Sequence, residues 1–278
     1  MKMRLTFIFL LIICVSAAAQ PKGKLFIIGG GTIPDYMIEK YTGLAGGKNA
    51  SFLIIPMASA EPVQSAASFR KKLTAAGCAR IKEIISDRNG IDADSNLAKI
   101  DEADAIFFTG GDQSNLTKVF SGTEALKRIH SRYSKGAIIG GTSAGAAVMS
   151  KIMITGRELI NKDTANANSA IIIGNIETAE GFGLIKGAVI DQHFLKRKRL
   201  NRLINLIAEK RELLGIGIDE STAIIVTSGK NCEVFGESLV TLVKADKTKK
   251  FTADKNNHPA LQGISLSLYK NGDQFRIK

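Results

Sequence analysis

Gly141-Thr142-Ser143-Ala144-Gly145 spells G-x-S-x-G. It follows the apolar run Ala137-Ile138-Ile139, which reads as a buried strand, and precedes Ala147-Val148-Met149, which can open a helix. This spacing suits a nucleophile elbow: small neighbours let strand and helix approach closely and leave the serine Oγ exposed on a tight turn. The next N–H, on Ala144, then points to where an oxyanion would form. A Gly-rich strand-to-helix turn with a bystander serine satisfies the same five residues, because short matches of this kind arise by chance.

A serine nucleophile needs a base, and the chain has 3 histidines. His130 sits mid-helix in Lys127-Arg128-Ile129-His130 and reads as a surface residue; His258, in Asn256-Asn257-His258-Pro259, reads as an exposed loop. His193 follows the apolar strand Ala188-Val189-Ile190, at the sheet edge where Ser143 is also expected, which makes it the favoured base. A structural loop histidine is the competing reading. No histidine lies in H-E-x-x-H or beside a C-x-x-C pair, so no metal and no cofactor are expected.

Arg197, Arg199 and Arg202 come just after His193. On a helical wheel over the segment from about Leu195 to Leu214, Arg199 falls inside the apolar arc, with Arg197 and Arg202 near its borders. Lys196 falls in the arc too, within the first turn. An inward arginine requires an anion, since an unpaired buried charge is costly; a substrate carboxylate would answer. A solvated basic face is the alternative.

The elements that must carry these residues alternate. Strands are expected at Leu25–Ile28, Ser51–Pro56, Ile81–Ile85, Ala105–Phe108 and Ala137–Ile139, with helices at Pro62–Ala76, Asn96–Glu102 and Asn115–Tyr133 between them. That order implies right-handed crossovers and a doubly wound, mostly parallel α/β sheet, with the site at the strand C-termini. Gly29-Gly30-Gly31 reads as a tight turn; Pro34 at the third glycine position rules out a dinucleotide fingerprint. Past the elbow, Asn161–Ser169 reads as a loop and Ile171–Gly174 as a strand. Gly215–Glu220 and Thr222–Val226 read as further strands, and Cys232–Lys278 as antiparallel β additions.

Composition sets the frame. The 278 residues, 45% hydrophobic, suit one domain with a large core, at 20–278. Met1–Ala19 has the form of a secretory signal, with Lys2 and Arg4, an apolar run from Leu5 to Val15 and an A-x-A site at Ala17–Ala19. Cleavage before Gln20, a secreted or periplasmic location and no later membrane span are expected. With Lys2 and Arg4 removed, 36 basic against 26 acidic residues leave +10, which suggests an anionic partner. Cys78 and Cys232 stay in the mature chain, as a disulfide or as two buried thiols.

Four co-linear stretches resemble cyanophycinases, serine exopeptidases of the family that also contains α-aspartyl dipeptidase. They are Phe108–Gln113, Gly140–Ala146, Asp191–Phe194 with the three arginines, and Gly215–Glu220. The resemblance covers roughly Lys24 to Val226. It implies a class-I glutamine-amidotransferase-like sandwich with a Ser-His-Glu/Asp triad. Ser143 would be the nucleophile, His193 the base, and the N–H groups of Gly111 and Ala144 the oxyanion hole. Gln113, Asp191, Gln192, Arg197, Arg199 and Arg202 would line the substrate pocket. The carboxylate is sought between serine and histidine, where Glu158 in Thr155-Gly156-Arg157-Glu158 matches best and Asp163 and Glu177 are the fallbacks. The implied partner is a peptide or polymer carrying carboxylates and guanidinium groups, multi-L-arginyl-poly-L-aspartate above all, and not nucleic acid. A homodimer is the assembly allowed for. The rival readings are a peptidase acting on other small acidic or isoaspartyl peptides and a noncatalytic secreted binding protein on the same fold; a lipase-like alternative, ranked below them, would use Ser143, Asp246 and His258.

Overall fold

Runs of branched and aromatic residues, apolar on both faces, build the centre of a large sheet. The computed structural model describes residues 20–161 and 167–277. From the N-terminal side, β1 (Lys24–Ile28), α1 (Asp35–Leu44), β2 (Phe52–Ile55), α2 (Pro62–Ala75), β3 (Ile81–Glu83), α3 (Asp94–Glu102) and β4 (Ala105–Phe108) alternate. Then come α4 (Gln113–Phe120), α5 (Glu124–Lys135), β5 (Ile138–Thr142) and the one-turn α6 (Ala144–Ala147). The chain continues through β6 (Ile152–Glu158), β7 (Ile176–Glu180), β8 (Ala188–Gln192), α7 (Leu200–Glu209), β9 (Leu214–Ile218) and β10 (Thr222–Thr227). It ends with β11 (Asn231–Gly236), β12 (Val240–Ala245), β13 (Phe251–Ala253), β14 (Pro259–Leu261), β15 (Ile264–Tyr269) and β16 (Gln274–Arg276).

The main sheet has eight strands in the order β16-β11-β10-β1-β5-β4-β2-β3. β1, β5, β4, β2 and β3 run parallel, whereas β10, β11 and β16 join antiparallel. The fold is therefore α/β with a large mixed sheet. A second sheet, β15-β12-β9-β8, packs over one face of the first. Its inner residues Ile190, Ile216, Ile218, Val240 and Leu242 share a core with Leu25, Ile27 and Ile139. Its outer residues Val189 and Val243 lie under Leu203, Leu206 and Ile207 of α7. On the far face of the main sheet, Met37, Tyr41 and Phe69 from α1 and α2 cover Phe26, Phe52 and Phe107.

Several expected boundaries move, each for a local reason. The single helix over Asn115–Tyr133 is two, because Gly122 has φ +75° and Thr123 caps α5 by accepting from Leu126 N. The helix expected from Leu195 begins only at Leu200, since Lys198 takes φ +52° and the chain turns through that stretch. Residues 171–174 are not a strand; the strand starts at Ile176. Helix α1, which the sequence reading did not mark, buries Met37, Ile38 and Tyr41. Cys78 and Cys232 are buried free thiols, in the cores on opposite faces of the main sheet. Among the described residues, no helix is long and apolar enough to cross a membrane. The segment read as a signal, residues 1–19, lies outside them.

Candidate active site

Ser143 stands at the junction of β5 and α6 with φ +53° and ψ −110°. A non-glycine residue holds such a conformation only where its surroundings over-determine it. Here Ser143 N donates to Ile28 O at 3.1 Å, and glycines flank the turn because nothing larger fits. A Cβ on Gly141 would strike the Gly145 carbonyl, and one on Gly145 the Phe108 carbonyl. The loop after β4 closes on the same point: a Cβ on Gly110 would sit 3.4 Å from Ser143 Cβ. Gly111 has φ +142° and is wedged against Ala58, whose carbonyl accepts from Asp112 N at 2.8 Å. No backbone acceptor among the described residues engages the N–H of Gly111 or of Ala144.

His193 arrives from the second sheet, at the end of β8, with φ +47°. Its backbone N donates to Gly29 O at 2.6 Å. Its Nε2 lies 2.9 Å from Ser143 Oγ and its Nδ1 2.7 Å from Glu220 Oε1. With the proton on Nδ1, the ring donates to the carboxylate and presents a lone pair to the hydroxyl. Glu220 lies on the crossover that carries the chain from β9 in the second sheet to β10 in the main one. The glycines at the end of β1, read as a tight turn, make room for the pair. A Cβ on Gly30 would enter the His193 ring, and one on Gly31 would come within 2.8 Å of Glu220 Cβ.

Glu158, expected as the acid, is placed elsewhere. It ends β6, and its carboxylate accepts from Asn175 Nδ2 at 2.6 Å and Asn168 N at 2.9 Å, which ties down the loop before β7. Of the fallbacks, Asp163 lies outside the described residues. Glu177 is taken by a two-point pair with Arg157 at 2.7 and 2.8 Å and by Thr155 Oγ1. The carboxylate that meets His193 comes after it in the chain, not between serine and histidine as expected. A signal for it existed: Gly215–Ile218 delivers Asp219-Glu220 to the sheet edge as Ala188–Ile190 delivers Asp191–His193. The lipase-like alternative fails, because His258 pairs with Asp254 on an exposed turn and the Asp246 carboxylate accepts from Thr248. His130 is half-buried and bonds Phe182 O at 2.8 Å instead of facing solvent.

The basic cluster sorts itself by depth, in an order the wheel did not anticipate. Arg202, placed at its border, is the most buried and forms a two-point pair with Asp191 through Nε at 3.0 Å and through Nη2. The helix starts five residues later than the wheel assumed, which rotates every earlier position. Arg199 gives Nη1 to Gln192 O at 2.6 Å and to the Gln192 side chain. Its Nε is buried with no partner among the described residues. Burial and the neighbouring Arg202 push Arg199 down to about 10, so it stays cationic at neutral pH. Arg197 is exposed. Gln113 is buried, and its amide donates to Ile154 O at 2.6 Å and Thr155 O at 2.9 Å, which fastens α4 to β6. Asp191, Arg202 and the Gln113 amide N–H group are thus committed within the protein. Gln192, itself largely buried, holds Arg199.

Burial is the main force holding the His193 imidazole below its ordinary 6.5, and the cations of Arg197 and Arg199 add to it; the Glu220 hydrogen bond opposes them. The result is a neutral ring at neutral pH, which is the form that accepts a proton.

The model of peptidase family S51 matches residues 25–234. The chain is 32% identical over 266 residues to the cyanophycinase of Geminocystis herdmanii (strain PCC 6308), covering 92% of this chain and 94% of that one. It is 30% identical to the cyanophycinase of Trichormus variabilis (strain ATCC 29413 / PCC 7937), over 92% and 86%. The crystal structure of a peptidase from an acI-B1 Actinobacterium shares the fold, with TM-score 0.66, 22% identity and coverage of 93% and 98%. On this match, and with a serine, a histidine and a glutamate in hydrogen-bonded series, the chain belongs to peptidase family S51 and is a serine-type peptidase.

Proposed function

We propose that Ser143, His193 and Glu220 form the catalytic triad of an exopeptidase that cleaves cyanophycin, multi-L-arginyl-poly-L-aspartate, to β-aspartyl-arginine. The observation that carries the chemistry is the series Ser143 Oγ, His193, Glu220, with contacts of 2.9 and 2.7 Å. In this reading His193 Nε2 takes the Ser143 proton as Oγ bonds to the peptide carbonyl carbon. The N–H groups of Gly111 and Ala144 hold the oxyanion. Collapse breaks the C–N bond, and the imidazolium returns its proton to the leaving amine. A water, deprotonated by the same ring, then attacks the acyl-enzyme and releases the acid and free Ser143. Glu220 keeps the ring in the Nδ1–H tautomer and stabilises its positive form.

The substrate assignment is supported by the names of the relatives and by charge. Three arginines follow His193, the single Asp191 carboxylate is shared between Arg202 and, at 3.8 Å, Arg199, and Arg199 is left with a buried unpartnered Nε. A carboxylate in a two-point fork would satisfy that edge. The polymer offers such groups at its backbone end and on each attached arginine. Asp191, expected to line the pocket, is spent on Arg202 and Arg199, so the substrate's guanidinium must bind elsewhere. The two-sheet arrangement with an elbow is read as a class-I glutamine-amidotransferase-like sandwich. The first 19 residues are read as an export signal, so the mature chain begins at Gln20 and acts in the periplasm or outside the cell; intact mass of the exported protein checks this.

The deciding experiment gives the purified protein β-linked Asp-Arg oligomer and an α-linked Asp-Arg peptide of the same composition. Release of soluble β-Asp-Arg from the first and none from the second is expected. Equal cleavage of both leaves a serine peptidase and removes cyanophycin as its substrate.

A further inference from the structure

His193 sits in a strained conformation at φ +47°, and strain of that kind persists only if something holds it. The loop after it makes bonds within itself, Arg197 N to His193 O at 2.9 Å and Arg199 N to Phe194 O at 2.9 Å. Such bonds shape the loop without fixing it to the site. Besides the His193 ring contacts and the buried Phe194 side chain, three hydrogen bonds from its backbone fix it. His193 N donates to Gly29 O at 2.6 Å, Phe194 N to Ile218 O at 3.3 Å, and Lys196 N to the side chain of Asp219 at 3.0 Å. The first two are backbone bonds at the base of the loop; the third is made by a side chain at its far end. Asp219 is itself held. Its other oxygen accepts from Ser238 Oγ at 2.8 Å, its N donates to Leu239 O at 3.3 Å, and it is 9% exposed. Ser238 N donates in turn to Thr222 Oγ1 at 2.9 Å, and that hydroxyl bonds Glu220 O at 3.1 Å.

We infer that Asp219 is a positioning residue for the peptidase reaction: it clamps the His193 loop to the crossover that bears Glu220, so base and acid are held in one frame. The inference rests on the triad reading above. The two residues that must meet come from the ends of different strands, β8 and β9, and each end has a positive-φ residue, His193 and Ser221. Without a cross-tie, each loop can relax independently and the 2.7 and 2.9 Å contacts of His193 lengthen. The carboxylate acts through its two acceptor oxygens and not through charge, because both partners are neutral donors. Asparagine can reproduce the geometry, with Oδ1 accepting from Lys196 N and Nδ2 donating to Ser238 Oγ; alanine cannot.

The test compares Asp219→Ala, Asp219→Asn and Ser238→Ala with Ser143→Ala and His193→Ala, on one substrate. Asp219→Ala should lose about 10²-fold in kcat with KM changed by no more than about twofold, as expected when reacting groups are misplaced while binding surfaces stay. Asp219→Asn should restore kcat to within about fivefold of the parent. A clamp needed only for folding would lower the melting temperature and leave kcat per folded molecule intact, and that result overturns the inference. So does an asparagine variant as slow as the alanine one, which would make the charge the active element. If Asp219→Ala does not fold, Ser238→Ala decides: it frees one oxygen of the clamp and should slow kcat several-fold, and an unchanged kcat overturns the proposal. Activity surviving in Ser143→Ala or His193→Ala would refute the triad itself; dead triad variants beside a fully active Asp219→Ala would refute the clamp alone.

Discussion

Nδ1 of His193 lies 2.7 Å from Oε1 of Glu220, although the two residues come from the ends of different strands and are 27 positions apart in the chain. The contact crosses the seam between the two sheets. Its other side is Ser143, from the main sheet, 2.9 Å from Nε2. Each packed layer therefore contributes to one hydrogen-bonded series.

Glu220→Gln should lower kcat by about 10³–10⁴-fold, the scale seen when the carboxylate behind a catalytic histidine is neutralised. Glu158→Gln should leave kcat near the parent value, since Glu158 ties Asn168 and Asn175 and not His193. Steady-state kinetics on the two variants checks this; a severe loss in Glu158→Gln with an active Glu220→Gln reverses the assignment.

Ser143→Ala should fold normally and lose on the order of 10⁴–10⁶-fold in kcat, as removal of a triad nucleophile does. A phosphonate or sulfonyl fluoride should label Ser143 in the parent. Peptide mapping by mass spectrometry reads the site, and an adduct elsewhere on an inactivated enzyme counts against the nucleophile.

The pH profile follows from the direction of the His193 shift. Its value is held below 6.5, so the neutral base persists to lower pH than for a free imidazole. The acid limb of kcat/KM should fall below pH 6.5. Arg197 is one of the cations that hold it down. Arg197→Gln should therefore raise the histidine value and move the acid limb towards higher pH, with weaker effect in high salt. A limb that stays put, or moves down, contradicts this.

The arginines should separate by what they do. Arg199→Lys keeps the charge and loses the fork, which should cost on the order of 1–3 kcal/mol in kcat/KM. Arg202→Ala leaves the buried Asp191 carboxylate with only Arg199, at 3.8 Å, and breaking a buried two-point pair costs up to about 3–5 kcal/mol of stability. Urea unfolding and kinetics on both variants distinguish the roles. Arg202→Ala with parent stability would mean that the pair carries no structural load.

The local chemistry of the elbow was legible in the sequence. Gly141, Ser143 and Gly145 can be read from five residues, because only small side chains fit where strand and helix converge and the motif is contiguous. The alternating apolar runs likewise set out the α/β architecture and brought His193 to a strand end. Pairing in three dimensions was not written in any such pattern. That β9 and β10 belong to different sheets follows from how two layers pack, and it is this crossover that swings Glu220 onto His193. Glu158 carries the same functional group, and the resemblance, which placed the acid between serine and histidine, favoured it; the Asn175 amide claimed it instead. The depth of the arginines was also decided by tertiary structure, since the turn through Lys198 delays the helix and rotates the wheel. Residue identity determined which chemistry was available, through steric and periodic rules that act over a few positions. Long-range packing decided which carboxylate and which guanidinium were left free to perform it, because hydrogen bonding between distant strands is a property of the assembled layers.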